Sequence, residues 1–452
     1  MRVFPLLFIV FGLSPLAHAN QVLDLLKTVE IGSGYMSKML CSGLFVQHRD
    51  RDDVVAEILE RDPALQYISH RVGDAGVSSH AFLLYPKVAG FNEQTGCSLH
   101  PDVNWWDVWR WQRSPRQRSW QEVSQDFVRS QSLVNLQKLD EIIDEHFVES
   151  NPNSLKNTSA VIVVHKGEII AERYARGFHK DMPHLSWSLS KSALSTLVGI
   201  MVKRGMIDIN EPMPVAEWGG DERSEITWNH MLTMTSGLKF IEDYGDPDSD
   251  IREMLYNSVD MGAYAANQPL LHRPGEHYHY ASGTSNVISR AMRKVFADDE
   301  AYHQFPYEAL LDPMGWANAV FESDASGTFV GASYLYATAR DWASLGQLYL
   351  QNGYWQGQQL LPSWWVEYAT TPSAAAPKGK YGAHWSTNYG NDEGRRWPSL
   401  PSDLYAATGH DEQYVMVVPS KELVVVRLGY TLDEAAFSIE ELTGAILATI
   451  PD

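Results

Sequence analysis

The sequence predicts a mixed α/β (α+β) protein in which an antiparallel sheet is flanked by helices, with a mostly helical region beside it. Three observations carry that expectation. Val161-Ile162-Val163-Val164, a His165-Lys166-Gly167 turn and Ile169-Ile170-Ala171 read as one hairpin. Residues 414–418 and 423–428 flank Pro419-Ser420-Lys421-Glu422 and read as a second. Helical patterns fill the space between, and a last apolar helix spans 438–450. Strands at both ends with helices between them favour layers packed around an antiparallel sheet.

The element order starts with an export signal. Arg2 supplies a positive end, residues 3–16 are nearly all apolar, and Ala17-His18-Ala19 has the small-x-small pattern of a cleavage site. Residues 1–19 are therefore expected to be a signal peptide, cut after Ala19, and the mature protein to be secreted or periplasmic. The apolar core is short for a membrane span, and no other stretch approaches eighteen apolar residues. Residues 20–130 read as an N-terminal extension packed on the main domain, which occupies 131–452. The extension holds a helix at 53–60 and a tryptophan-dense stretch at Trp105, Trp106, Trp109 and Trp111, with three arginines after it. That stretch packs the extension onto the main domain or lines a cleft. A helix is expected over 128–149.

Two cysteines, Cys41 and Cys97, survive signal removal. An oxidising compartment makes them a candidate disulfide, with two free buried thiols as the alternative. The net charge of −20 makes nucleic acid and anionic membrane surfaces poor partners.

Chemistry concentrates at Ser186-Trp187-Ser188-Leu189-Ser190-Lys191, which opens a long apolar helix running to 203, with Gly205 beyond it. A three-residue spacing puts Ser188 and Lys191 on one helix face. Burial lowers a lysine pKa, and a neutral amine beside a hydroxyl can take its proton. The helix start also offers N–H groups to a developing oxyanion. A second Ser-x-x-Lys, Ser236 to Lys239, contains Gly237 and reads as a helix exit.

Three further motifs follow in order: Met231-Leu232-Thr233-Met234-Thr235-Ser236-Gly237-Leu238, then Pro274-Gly275-Glu276-His277-Tyr278-His279-Tyr280-Ala281-Ser282-Gly283, then Ala407-Thr408-Gly409-His410. With the first, this set resembles the serine β-lactamase and penicillin-binding superfamily over residues 155–450. It looks closest to the class C-like branch that holds esterases, D-aminopeptidases and 6-aminohexanoate-dimer hydrolases. The resemblance implies a β-lactamase-like fold, Ser188 as acylating nucleophile, Lys191 as its base and Tyr280 as proton shuttle. Ser282 stands where the family's Tyr-x-Asn motif has Asn, and the Lys-Thr-Gly lysine is missing. Both departures count against β-lactam recognition. The resemblance further implies an oxyanion hole from the backbone N–H groups of Ser188 and His410, and substrate-side roles for Tyr244 and Ser282.

The expected activity is therefore a serine hydrolase of carboxylesterase or amidase type, acting on a small-molecule ester or amide without a cofactor. A β-lactamase or D,D-peptidase is the enzymatic alternative, and a catalytically silent binding protein on the same fold is the non-enzymatic one. His272, His277 and His279 lack a third ligand at metal spacing. Asp246 to Asp250 imitates a calcium loop but has Ile251 and Asn257 where Gly and Glu are required. No Gly-x-Ser-x-Gly elbow and no phosphate loop are present.

Overall fold

The protein is described by a computed structural model covering residues 15–102, 134–246, 248–390 and 394–451. The tryptophan stretch at 105–111, the arginines after it and the first residues of the helix expected from 128 lie outside the described residues.

The chain opens with α1 (Pro15–Phe45) and α2 (Arg51–Arg61). Asp50 starts α2, its carboxylate accepting from Asp52 N, and acidic residues fill the first turn while Arg61 sits in the last. Four strands follow: β1 (Ile68–Gly73), β2 (Gly76–Ala81), β3 (Leu84–Asn92) and β4 (Gly96–His100), a meander in that order. The sequence pattern does not announce this sheet, and its buried face explains why. Ser37 on α1 and Ser79 on β2 are buried with their hydroxyls 2.7 Å apart, and Ser37 Oγ also donates to Lys87 O at 3.0 Å. A polar seam that satisfies itself internally looks like surface in a sequence. A disulfide between Cys41 and Cys97 ties α1 to β4.

This N-terminal module is fastened to the rest of the chain at Glu322. The buried Glu322 carboxylate accepts from Lys38 Nζ, from Ser42 Oγ at 2.9 Å and from Cys97 N at 2.8 Å. Three donors on one buried carboxylate are what make that burial tolerable. Ser98 Oγ donates to Ser323 O at 2.9 Å beside it.

The main sheet has six antiparallel strands: β5 (Thr158–His165), β6 (Glu168–Tyr174), β7 (Ser386–Thr387), β8 (Tyr405–Gly409), β9 (Gln413–Val418) and β10 (Leu423–Gly429). Their order is β7-β8-β9-β10-β5-β6, so the first and last strands of the domain meet as neighbours. Alternation assigns the faces. Val161, Val163, Met416, Val418 and Val425 pack with α3 (Leu136–Glu145) and with α8 (Ile439–Leu447) on one side. Ile162, Val164, Val415, Val417 and Val424 face the main core on the other, where α4 (Leu189–Lys203) and α7 (Ala339–Leu350) lie. Between them in sequence come α5 (Asp250–Asn257) and α6 (Ser282–Val295). Within the described part of the helix expected over 128–149, the helix starts at Leu136 behind an Asn135 cap and stops at Glu145. Among the described residues, no helix is long and apolar enough to cross a membrane.

Candidate active site

Ser188 stands at the N-cap of α4, immediately after Trp187, whose φ of 45° is left-handed. A serine at an N-cap ordinarily bonds a backbone N–H of the first turn; Ser188 makes no such bond. Lys191 Nζ instead lies 2.9 Å from Ser188 Oγ. All of α4 from Leu189 to Met201 is buried, so Lys191 has 1 % exposure. Burial pushes the Lys191 amine down to about 8, partly offset by the charge of Glu242.

Two further groups fix that amine. Its Nζ donates to Ser282 Oγ at 3.1 Å and to Ala332 O at 3.0 Å. Ser282 in turn donates its hydroxyl to Glu242 Oε1 at 2.5 Å and its backbone N–H to Glu242 Oε2 at 2.8 Å. The structure thus places Ser282 behind Lys191, fully buried, rather than on the substrate side that the resemblance implies. Glu242 has no mark in the sequence: it lies 40 residues from Ser282 in an irregular loop, with no spacing to single it out. Burial raises its carboxyl pKa, while Lys191 and the Ser282 bonds lower it.

Tyr280 lies on the same side. Lys191 Nζ sits 5.0 Å from its ring centroid. Burial and the charge of Glu242 raise its phenol pKa, and a hydrogen-bonding interaction with Ser188 works the other way.

The opposite wall is the β8–β9 turn. Gly409 is required there by close approach: a Cβ would stand 2.7 Å from Ser186 O, so a side chain would push β8 off the segment that carries the nucleophile. His410 follows, half open to solvent, with its ring stacked on Tyr244 at 5.0 Å. Asp411 and Glu412 have left-handed φ values of 66° and 59°. Non-glycine residues keep that conformation only where surroundings impose it. Here Arg427, buried in β10, donates to Asp411 O at 3.0 Å and to Glu412 O at 2.9 Å.

Ser188, Tyr280, Tyr244 and His410 line one cleft of about 590 Å³, together with Arg61 and Arg396. The structure therefore brings all the sequence-derived candidates to one place, with Ser282 just behind. A cleft of this size holds a small organic substrate. Among the described residues, no cluster of His, Cys, Asp and Glu could hold a metal ion. The His272 and His277 rings lie 4.2 Å apart at a 30° tilt, and His279 is turned to Phe240 O at 2.6 Å.

Residues 156–446, well over half the chain, match the family model described as Beta-lactamase. The chain belongs to this family. A 6-aminohexanoate-dimer hydrolase of Paenarthrobacter ureafaciens is 26% identical over 300 residues, covering 60% of this chain and 72% of that protein. Two solved structures share the fold. A family VIII carboxylesterase gives a TM-score of 0.55 at 14% identity, over 70% of this chain and 97% of that one. EstCE1, described as a hydrolase with promiscuous acyltransferase activity, gives 0.56 at 13% identity, over 70% and 99%. The protein is a serine hydrolase of the Beta-lactamase family. The N-terminal module, residues 15–100, lies outside the family match.

Proposed function

We propose that the chain hydrolyses a small ester or amide through an acyl-enzyme on Ser188. Lys191, as the neutral amine, takes the Ser188 hydroxyl proton as Oγ attacks the carbonyl carbon. The backbone N–H groups of Ser188 and His410 receive the oxyanion, and Tyr280 gives its phenol proton to the leaving group and is reprotonated from the Lys191 ammonium. Water then attacks the acyl-enzyme, giving its OH to the acyl group, which leaves as the acid, and its other proton by way of Lys191 to Ser188 Oγ. The observation that carries this reading is the 2.9 Å contact between a buried Lys191 Nζ and a Ser188 Oγ free of capping duty.

The β-lactamase and D,D-peptidase alternative is disfavoured by the missing Lys-Thr-Gly lysine, since Ala407-Thr408-Gly409-His410 holds no lysine. We further propose that the protein works outside the cytoplasm, which suits the signal-like N-terminus and the Cys41–Cys97 bond. The test is p-nitrophenyl ester turnover by the mature protein with phosphonate labelling mapped by mass spectrometry. Turnover and a label on Ser188 are expected. Neither turnover nor label would return the fold to the silent binding protein.

A further inference from the structure

Among the described residues of the N-terminal module, Arg61 is the one that lines the cleft. Arg61, in the last turn of α2, pairs with the Asp411 carboxylate through Nη2 and lies 3.3 Å from His410 Nε2 through Nη1. The same Asp411 oxygen, Oδ2, accepts from Trp187 Nε1 at 2.9 Å. Trp187 is the left-handed residue next to Ser188, and Asp411 is the left-handed residue next to His410. One carboxylate therefore joins the Trp187 side chain, next to the nucleophile, to the turn on the facing wall, and Arg61 neutralises and orients it.

We propose that Arg61 is a positioning residue for the hydrolysis: the module sets the spacing of the two walls by gripping Asp411, and so completes the active site. The inference rests on the serine hydrolase reading above. Three features support it. Asp411 is 7 % exposed, so its charge needs a partner, and the Arg61 guanidinium is paired directly with its carboxylate. Among the described residues, Arg427 bonds the turn through main-chain carbonyls, and the carboxylate meets Arg61, Trp187 and the neighbouring His410 ring at 3.3 Å. The module is itself fixed, by the disulfide and by the Lys38–Glu322 anchor, so Arg61 is presented from a rigid base. A guanidinium suits the task because its fork can engage two groups at once.

The experiment compares the full-length protein with Arg61→Met, Arg61→Lys and Asp411→Asn, and with the Arg61→Met/Asp411→Asn pair, on a p-nitrophenyl ester. Thermal melts and phosphonate labelling of Ser188 are recorded in parallel. Arg61→Met is expected to lower kcat about 10- to 100-fold, the penalty of a small misplacement, with KM little changed. Arg61→Lys should restore part of the loss. When Asp411→Asn is already in place, Arg61→Met should add less than about twofold, because coupled residues are non-additive. An unchanged kcat in a folded Arg61→Met protein overturns the proposal. A rise in KM alone also overturns it and makes Arg61 a substrate contact. If Arg61→Met does not fold, Asp411→Asn decides: a kcat equal to that of the parent overturns the proposal. A parent that neither turns over nor labels overturns the hydrolase reading itself, whereas an active parent with an insensitive Arg61 sinks only this inference.

Discussion

The two walls of the cleft are built by opposite strategies. On the Ser188 side, chemistry depends on side chains: Lys191, Ser282 and Glu242 form a continuous chain of hydrogen bonds around a buried amine. On the His410 side, what matters is backbone shape: two left-handed residues held by arginines from β10 and α2. The first wall is expected to tolerate little change in residue type. The second is expected to tolerate a change at His410 itself but not in whatever holds the turn. Substitutions on the two sides should therefore fail differently, one in the reacting groups and the other in their spacing.

The largest effect is expected at the nucleophile. Ser188→Ala should reduce ester turnover to background with an unchanged melting temperature, since Ser188 Oγ caps no helix. Lys191→Met should do the same to turnover while filling most of the space the lysine leaves. Substantial activity in Lys191→Met would remove Lys191 as the base and leave the helix start without its chemistry.

Tyr280→Phe comes next. It retains the ring beside Lys191 and deletes only the phenol hydroxyl that interacts with Ser188. On an amide substrate, whose amine leaving group must gain a proton, a loss of about 10²–10⁴ in kcat is expected, the usual size of general acid–base help. A loss below about threefold would take the proton shuttle away from Tyr280 and leave the leaving group to Lys191 or water.

The two walls are also unequally legible in the sequence. Ser188 and Lys191 lie three residues apart on one helix, so their adjacency follows from helical geometry alone. Tyr280 and His410 rest on motif resemblance, because nothing local marks them. Glu242 reaches Ser282 across 40 residues, and Arg61 reaches Asp411 across 350, distances at which no periodicity speaks. The fold divides the same way. The valine-rich strands β5 and β10 show themselves plainly, whereas β1–β4 bury serines and a lysine and pass for loop. Burial of polar groups that satisfy each other is the feature a hydrophobic pattern cannot report.

A pH profile tests the side-chain wall more finely. If Lys191 acts as the neutral amine, kcat/KM should rise as the ammonium loses its proton and flatten above it. The midpoint is expected near 8, where burial places that group. Glu242 partly offsets the burial by favouring the ammonium. Glu242→Gln should therefore move the rising limb to lower pH, while keeping a hydrogen-bond acceptor for Ser282. An unmoved limb would mean that Glu242 serves only to place Ser282; a limb moved upward would contradict the electrostatic account.

The smallest effect is expected where the two walls touch, at Tyr244. Its ring stacks on His410, and its loop also carries Glu242, so it belongs to both sides. Tyr244→Phe preserves the stack and removes the hydroxyl. An alkoxide or phenolate leaves an ester without much help, but an amine leaving group must gain a proton before the C–N bond breaks. If the Tyr244 hydroxyl assists that proton, amide turnover should fall several-fold in Tyr244→Phe while ester turnover stays within about twofold, a difference well inside what a single positioned acid contributes. Equal losses on ester and amide would place Tyr244 with the backbone wall, as a ring that supports the His410 turn and has no part in proton transfer.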